Sequence, residues 1–140
     1  MKYLLDTNVI SEWTKPRPHP AVVRWLAQAE EENLFLSVIT LGELWHGIGR
    51  LPLGAHRTRL ADWVEHDLAS RFEGRILGID QETARTWGQL LAESQQRGKA
   101  MHAVDALLAA TAVTGSLTLV TRNEKDFVAA GVRLFNPFEE

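Results

Sequence analysis

The chain has 140 residues, of which 45% are hydrophobic and 24% charged, with a formal net charge of −3 and no cysteine. That length suits one domain with a sizeable core, so we expect a single domain over residues 1–140. The lack of cysteine excludes disulfides, thiolate zinc sites and cysteine nucleophiles, and the modest negative charge argues against tight nucleic-acid binding by this chain alone. No leader pattern and no apolar run of about 20 residues occur, which predicts a cytoplasmic protein without membrane contact.

Short apolar runs alternate with helical patterns from one end of the chain to the other. The apolar runs predict five strands, at residues 2–5, 34–37, 75–79, 117–121 and 132–135. Helical patterns occupy residues 7–15, 21–30, 38–50, 55–70, 81–97, 102–114 and 123–130. Prolines at residues 16–20 and glycines at 98 and 115 end three of these helices. The alternation predicts an α/β fold with a parallel sheet of about five strands and helices on both faces.

Asp6 directly follows the first predicted strand. The carboxyl ends of the strands in a parallel α/β sheet face the crevice where ligands bind, so we expect Asp6 at the mouth of a site. A structural role is the alternative, because an aspartate here could also be the N-cap of the helix that begins at Thr7 or Asn8.

Asp105 lies in an alanine-rich helix that is apolar nearly all round, over residues 103–112. A helix of that composition is expected to be buried. An ionised carboxylate there costs several kcal/mol unless something offsets its charge. Pairing with a buried arginine, protonation, or a bound cation would each do so, and the last interpretation makes Asp105 a metal ligand.

Glu43 has two interpretations. The run from Thr40 to Glu43 fits a capping box, in which the glutamate reaches back to the cap amide. If Ser37 is the cap instead, Glu43 lies one or two turns into the helix and faces inward among Ile39, Leu44 and Trp45, which the helical pattern predicts to be buried.

Three further polar residues are candidates for a chemical or a capping role. Asn123 stands where the fourth strand ends, at the same sheet edge as Asp6, and an amide there could orient a water or weakly ligate a cation. Asp126 follows one helical turn later, where a local cap or salt bridge is the preferred interpretation. Asp80 precedes the helix at 81–97 and is expected to be its N-cap.

The carboxylates Asp6, Glu43 and Asp105 offer oxygen ligands without cysteine or an obligatory histidine. Such a set suits Mg²⁺ or Mn²⁺ rather than zinc. Hard cations in carboxylate clusters act on phosphoryl groups, which makes phosphodiester hydrolysis the leading chemistry. A phosphatase with Asp6 as covalent nucleophile is a rival, but such sites typically need a second acid where Asn8 stands.

Four short motifs, in this order, carry a resemblance to a known family: LDTNVIS at residues 5–11, SVITLGEL at 37–44, DALLAATA at 105–112 and VTRN at 120–123. With them the chain resembles PIN-domain proteins over essentially its whole length. The nearest likeness is to the VapC and FitB toxins of bacterial toxin–antitoxin pairs.

The resemblance implies a PIN-like three-layer α/β/α sandwich. It also implies an Mg²⁺- or Mn²⁺-dependent endoribonuclease that hydrolyses RNA phosphodiesters with a metal-activated water. On this basis Asp6, Glu43 and Asp105 are the expected metal ligands and catalytic residues. The fourth acidic position of the family falls on Asn123, which joins the expected catalytic set as an amide. Hydroxyls that would orient the carboxylates are those of Thr7, Ser37 and Thr121.

The resemblance also implies partners. These are an RNA substrate, a cognate antitoxin, DNA contacted only through that antitoxin, and a second copy of the chain in a homodimer. The alternative function is a catalytically weak binding module that forms an operator-DNA-binding complex with its antitoxin. Five tryptophans, one in each of five predicted helices, either fill the core or serve such interfaces.

Overall fold

The computed structural model describes residues 1–139. Its strands are β1 (Tyr3–Leu5), β2 (Leu34–Ser37), β3 (Ile76–Leu77), β4 (Thr118–Val120) and β5 (Leu134–Phe135). They form one sheet in the order β3-β2-β1-β4-β5, and every pair is parallel. The predicted five-stranded parallel sheet is therefore confirmed, although each strand except β2 is shorter than its apolar run.

The helices follow the predicted order. They are α1 (Thr7–Ile10), α2 (Pro20–Gln28), α3 (Val38–Gly49), α4 (Ala55–Asp62), α5 (Ala69–Arg71), α6 (Gln81–Gln96) and α7 (Ala103–Thr114). A π-helical stretch, Trp63–Leu68, joins α4 to α5 where one helix was predicted. The predicted helix at 123–130 is instead two 3-10 turns, Glu124–Asp126 and Val128–Ala130, and Gly131 at a φ of 66° ends the second turn.

Alternate residues of the central strand point to opposite faces of the sheet. Leu5 packs in a core with α1, α2 and α3, whereas Leu4 packs in a second core with α7. Helices cover both faces, so the predicted α/β/α sandwich is confirmed. Within residues 1–139, none of the helices has both the length and the hydropathy that crossing a bilayer requires.

Two helices are less buried than their composition predicted. In α3, Ile48 is buried, but Trp45 is 40% exposed, because only the stripe at Thr40, Leu44 and Ile48 faces the sheet. In α7, Val104 and Val113 are 45% and 43% exposed. The expectation of a helix buried on all sides was therefore wrong, because the outer layer of a sandwich buries only the helix side turned to its neighbours.

The strand order predicts a ligand crevice between the carboxyl ends of β1 and β4. β2 and β3 lie on one side of β1, and β4 and β5 lie on the other, so the order reverses between β1 and β4. Ligands of open α/β sheets bind beyond the carboxyl ends of the strands at such a switch point. Asp6 follows β1 and Thr121 follows β4, so both residues lie at this point.

Candidate active site

Asp6 is held by one contact from its own helix and one from across the switch point. Its Oδ1 accepts a hydrogen bond of 2.7 Å from the backbone N–H of Thr7, and its Oδ2 accepts one of 2.8 Å from the hydroxyl of Thr121. The first contact makes Asp6 the N-cap of α1. Asp6 can therefore cap α1 and belong to the site at the same time. Its residue is only 8% exposed, and hydrogen bonds hold both of its carboxylate oxygens.

Asn8 is a part of the site that the sequence reasoning did not assign. Its Nδ2 lies 3.4 Å from Asp6 Oδ2 and 3.4 Å from Thr121 Oγ1. Its Oδ1 accepts a hydrogen bond of 3.2 Å from the N–H of Arg122. Its side chain therefore ties α1 to the chain leaving β4. The available signal was its spacing of two residues from Asp6, a distance at which an amide can turn back toward the carboxylate.

Glu43 reaches the site from α3. Ser37 caps that helix, because its Oγ accepts a hydrogen bond of 3.0 Å from the N–H of Ile39. The capping-box interpretation of Thr40 and Glu43 was therefore wrong. Glu43 is exposed rather than inward-facing, and its Oε1 accepts a 2.6 Å hydrogen bond from the hydroxyl of Thr7. Thr7 therefore connects Asp6 and Glu43 through its amide and its hydroxyl.

Asp105 stands in the first turn of α7 and is half-buried rather than enclosed. The first turn lies at the end of the sandwich, where solvent reaches the side chain. Among residues 1–139 Asp105 has no arginine ion pair, so the pairing interpretation is not supported. It lines a cavity of about 650 Å³ together with Asp126.

The remaining predicted positions have separate surroundings. Asn123 is exposed, and its backbone N–H donates 3.0 Å to Thr121 Oγ1. Ser37 is fully buried and caps α3, which differs from its expected role of orienting a carboxylate. Asp80 Oδ1 accepts 2.8 Å from the N–H of Thr83, so its predicted N-cap role is confirmed.

Two carboxylates of the site have a pKa above the ordinary value of an aspartate. Burial raises the pKa of Asp6 from 3.8 to about 6, against the hydrogen bonds from Thr121 and Thr7, and the charges of Glu43 and Asp105 add to the rise. Burial also raises the pKa of Asp105, with a further contribution from the charge of Asp126. The charges of Glu43, Asp105 and Asp126 thus contribute to the raised pKa values, after the larger effect of burial.

The donor chemistry of these carboxylates fits a hard divalent cation. Within residues 1–139, no three histidine or acidic side chains form a ready-made ligand cluster. Burial, the main cause of the raised pKa of Asp6 and of Asp105, makes an ionised carboxylate costly at these positions, and a bound cation would offset that cost. The oxygen donors at the crevice are of the chemical type that Mg²⁺ and Mn²⁺ prefer.

Comparison with known proteins gives relatives that extend over the whole fold. The chain is 38% identical over 136 residues to VapC ribonuclease Y4jK of Sinorhizobium fredii, covering 97% of each chain. It is 40% identical over 137 residues to toxin FitB of Neisseria gonorrhoeae, covering 98% of this chain and 99% of that protein. The structure of FitAB bound to the IR36 DNA fragment superimposes with a TM-score of 0.91 at 39% identity, covering 97% of this chain and 95% of that one.

The PIN domain family matches residues 3–132, a range that contains Asp6, Glu43, Asp105 and Asn123. This match and the two relatives at 38% and 40% identity show that the protein belongs to the PIN-domain family, with VapC and FitB toxins among its close relatives.

Proposed function

We propose that the chain is a divalent-metal-dependent endoribonuclease and the toxin of a toxin–antitoxin pair, acting in the cytoplasm through a single domain at residues 1–140. The observation that carries this proposal is Asp6, held by Thr7 and Thr121 at the switch point and within charge interaction of Glu43 and Asp105. The VapC ribonuclease and toxin FitB relatives supply the reaction class and the biological role.

In this proposal Asp6, Glu43 and Asp105 hold Mg²⁺ or Mn²⁺. The cation would stabilise negative charge at the attacked phosphate and lower the pKa of a nearby water. Thr121 and Thr7 keep Asp6 in one orientation, as partners of metal ligands commonly do. Glu43 uses Oε1 for Thr7, which leaves Oε2 to face the cation or to accept a proton from the attacking water.

Two residues, Asn123 and Asp126, are candidates for the fourth polar group of the site. Asn123 keeps its place beside Thr121 and could orient a water with its amide. Asp126 shares a cavity with Asp105, and its charge contributes to the raised pKa of that residue. We therefore propose Asp126 as the fourth carboxylate near the cation, with Asn123 retained as a polar neighbour.

The test is cleavage of a panel of structured RNAs by protein freed of any co-purified partner, with Mg²⁺, with Mn²⁺ and with EDTA. Asp6→Asn and Asp105→Asn should abolish cleavage, because each removes a charged ligand while keeping the shape of the side chain. Asp80→Asn is the matched control, since it changes the same functional group at a helix cap outside the site.

Cleavage that persists in EDTA or in Asp105→Asn would contradict the assignment. Loss of activity in Asp80→Asn as well would indicate a folding defect, which circular dichroism on all three variants would reveal. Asp126→Asn and Asn123→Ala, measured in parallel, show which of the two side chains contributes more.

We propose that the partners are a cognate antitoxin and a second copy of the chain. A groove of about 290 Å³ opens beside Thr7 and Glu43 and is lined by Leu44, Leu60 and Trp63, so an apolar antitoxin segment seated there would reach the carboxylates.

Val38 and Trp45 are about 40% exposed and seven residues apart on one side of α3, which suits a homodimer contact. Trp45→Glu should convert the dimer to a monomer in analytical ultracentrifugation.

A second candidate function is an operator-DNA complex formed together with the antitoxin. The likeness to FitAB bound to DNA favours it, and the net charge of −3 fits an arrangement in which the antitoxin makes the DNA contacts. Both functions can coexist. A protein that folds, binds its antitoxin and cuts no RNA on the panel would make the binding function the main one.

A further inference from the structure

A concavity beside Asp105 and Asp126 has a lining of mixed charge. It holds about 650 Å³ and lies between the end of α6, the start of α7 and the turns after β4. Asp105 and Asp126 occupy one part of its wall, and Arg97, Lys99 and Lys125 supply three permanent positive charges. A volume of this size is sufficient for a nucleotide.

The three cations are not equivalent. Arg97 is already engaged, because its Nη1 donates 3.0 Å to the carbonyl of Ala129 and its Nη2 lies 3.9 Å from Glu93. Lys99 and Lys125 are exposed, and within residues 1–139 neither makes an ion pair. Exposed lysines are usually only solvated, but these two come from separate segments and line the same concavity as two carboxylates of the site.

The backbone that carries Lys99 is held in place. Its N–H donates 3.0 Å to the carbonyl of Ser94, and the N–H of Met101 donates 3.1 Å to the Ser94 hydroxyl, which is buried. Gly98, at a φ of 73°, makes the turn that permits this return. The backbone of Lys99 is therefore tied to the end of α6 before any ligand arrives, which leaves only the lysine side chain to be ordered on binding.

The lining indicates which part of a nucleic acid would fit. Among residues 1–139, the lining of the concavity includes no tryptophan, tyrosine or phenylalanine, and His102 contributes the one ring on which a base could stack. Lysines bind phosphate as point charges, and phosphate contacts position a strand without reading its sequence. At the start of α7, His102 provides no side-chain cap, so the first amides of that helix add to the positive character of the wall.

We propose that Lys99 and Lys125 bind a backbone phosphate of the RNA next to the one that is cleaved, and so position the strand against Asp105. This inference rests on the proposed ribonuclease function and assigns the substrate path to one side of the site. Both residues are substrate-binding groups that leave the chemical step to the carboxylates.

The test compares Lys99→Ala, Lys125→Ala and the double variant with Lys2→Ala. Lys2 is the matched control, because it is an exposed lysine at the amino end of β1, the opposite edge of the sheet. Each site variant should raise KM for RNA about fivefold with kcat within about twofold, and the slope of log KM against log salt should fall by about 0.7 for each lysine removed. Lys99→Arg should retain wild-type KM.

A second readout separates this inference from the proposed function. Binding of a fluorescein-labelled 15-nucleotide single-stranded RNA of mixed sequence is measured by anisotropy in EDTA, where metal-dependent cleavage is absent. If wild type never cuts RNA, the ribonuclease proposal fails, but lysine-dependent binding in this assay would still support the phosphate site. Equal effects of Lys2→Ala, unchanged binding in the double variant, or a loss confined to kcat would each overturn the inference.

Discussion

Thr121 joins the end of β4 to the carboxylate of Asp6 and has several contacts in the site. Its hydroxyl donates to Asp6 Oδ2, accepts from the N–H of Asn123 and lies within 3.4 Å of the amide of Asn8. The residue is fully buried. The Thr121 hydroxyl thus orients the carboxylate of Asp6 together with the N–H of Thr7, and it also holds the chain that follows β4.

Thr121→Val should weaken the site while keeping its volume. The pKa of Asp6 is expected to rise further, because the hydrogen bond from Thr121 is its largest lowering influence. Mn²⁺ affinity should fall by about 10- to 100-fold and stability by about 1–3 kcal/mol. Isothermal titration and urea unfolding measure the two effects. Thr111→Val, which removes another buried hydroxyl, should leave Mn²⁺ affinity unchanged.

The raised pKa of Asp6 predicts how stability depends on pH in the absence of metal. The pKa rises from 3.8 to about 6 on folding, so the protonated form is favoured in the native state. The stabilising contribution is fully present below about pH 3.8 and is lost as pH rises through about 6, a difference of about 3 kcal/mol.

Asp6→Asn removes this titration. In EDTA, the free energy of unfolding of wild type relative to Asp6→Asn should therefore fall between pH 4 and pH 7. Urea unfolding at several pH values checks the sign, and a difference between the two proteins that does not vary with pH would contradict it.

At the scale of elements, α3 shows how a cap determines where a functional residue lies. Ser37 ends β2 and caps α3, which places Glu43 in the second turn, within reach of Thr7. The stripe of α3 that faces the sheet leaves Trp45 outward. The cap of α3 thus determines where Glu43 lies, and the packing of α3 against the sheet determines that Trp45 is exposed.

Ser37→Ala should act on stability and leave the chemistry almost unchanged. Loss of the cap is expected to cost about 1 kcal/mol, and the cleavage rate per folded molecule should remain within about twofold. Urea unfolding and RNA cleavage on the same preparation separate the two effects. A tenfold loss of rate with unchanged stability would instead support the role of orienting a carboxylate.

At the scale of the whole molecule, the reversal of strand order between β1 and β4 gathers the site. Residues from β1, α3, α7 and the turns after β4 meet at one edge of the sheet although they are far apart in the chain. A cation bound there would link these elements and therefore stabilise the fold as a whole.

Mg²⁺ should accordingly raise the stability of the protein near pH 7.5. A ligand at 100 times its dissociation constant adds about 2.7 kcal/mol, which corresponds to several degrees in Tm. Asp105→Asn should lose most of this shift and Asp80→Asn should keep it, as measured by differential scanning calorimetry. An equal Mg²⁺ effect in Asp105→Asn would place the ion elsewhere.

The sequence alone predicted the features that depend on local pattern. Alternating apolar runs and helical periods yielded the parallel sheet and the order of elements, and Asp80 was identified as a cap by its position before α6. The carboxylates Asp6, Glu43 and Asp105 stood out because charge in or beside an apolar segment needs an offset. Their assignment as metal ligands stays a prediction.

Only the tertiary structure decided the features that depend on which segments meet. Composition could not show that Trp45 faces outward, that Asp105 is half-buried, or that Asn8 links Asp6 to Thr121. The structure also brings Asp126, Lys99 and Lys125 into the lining of one concavity, although the two lysines lie 26 positions apart in the sequence. Periodicity is a property of neighbouring residues, whereas these contacts are set by strand order and helix packing over long separations.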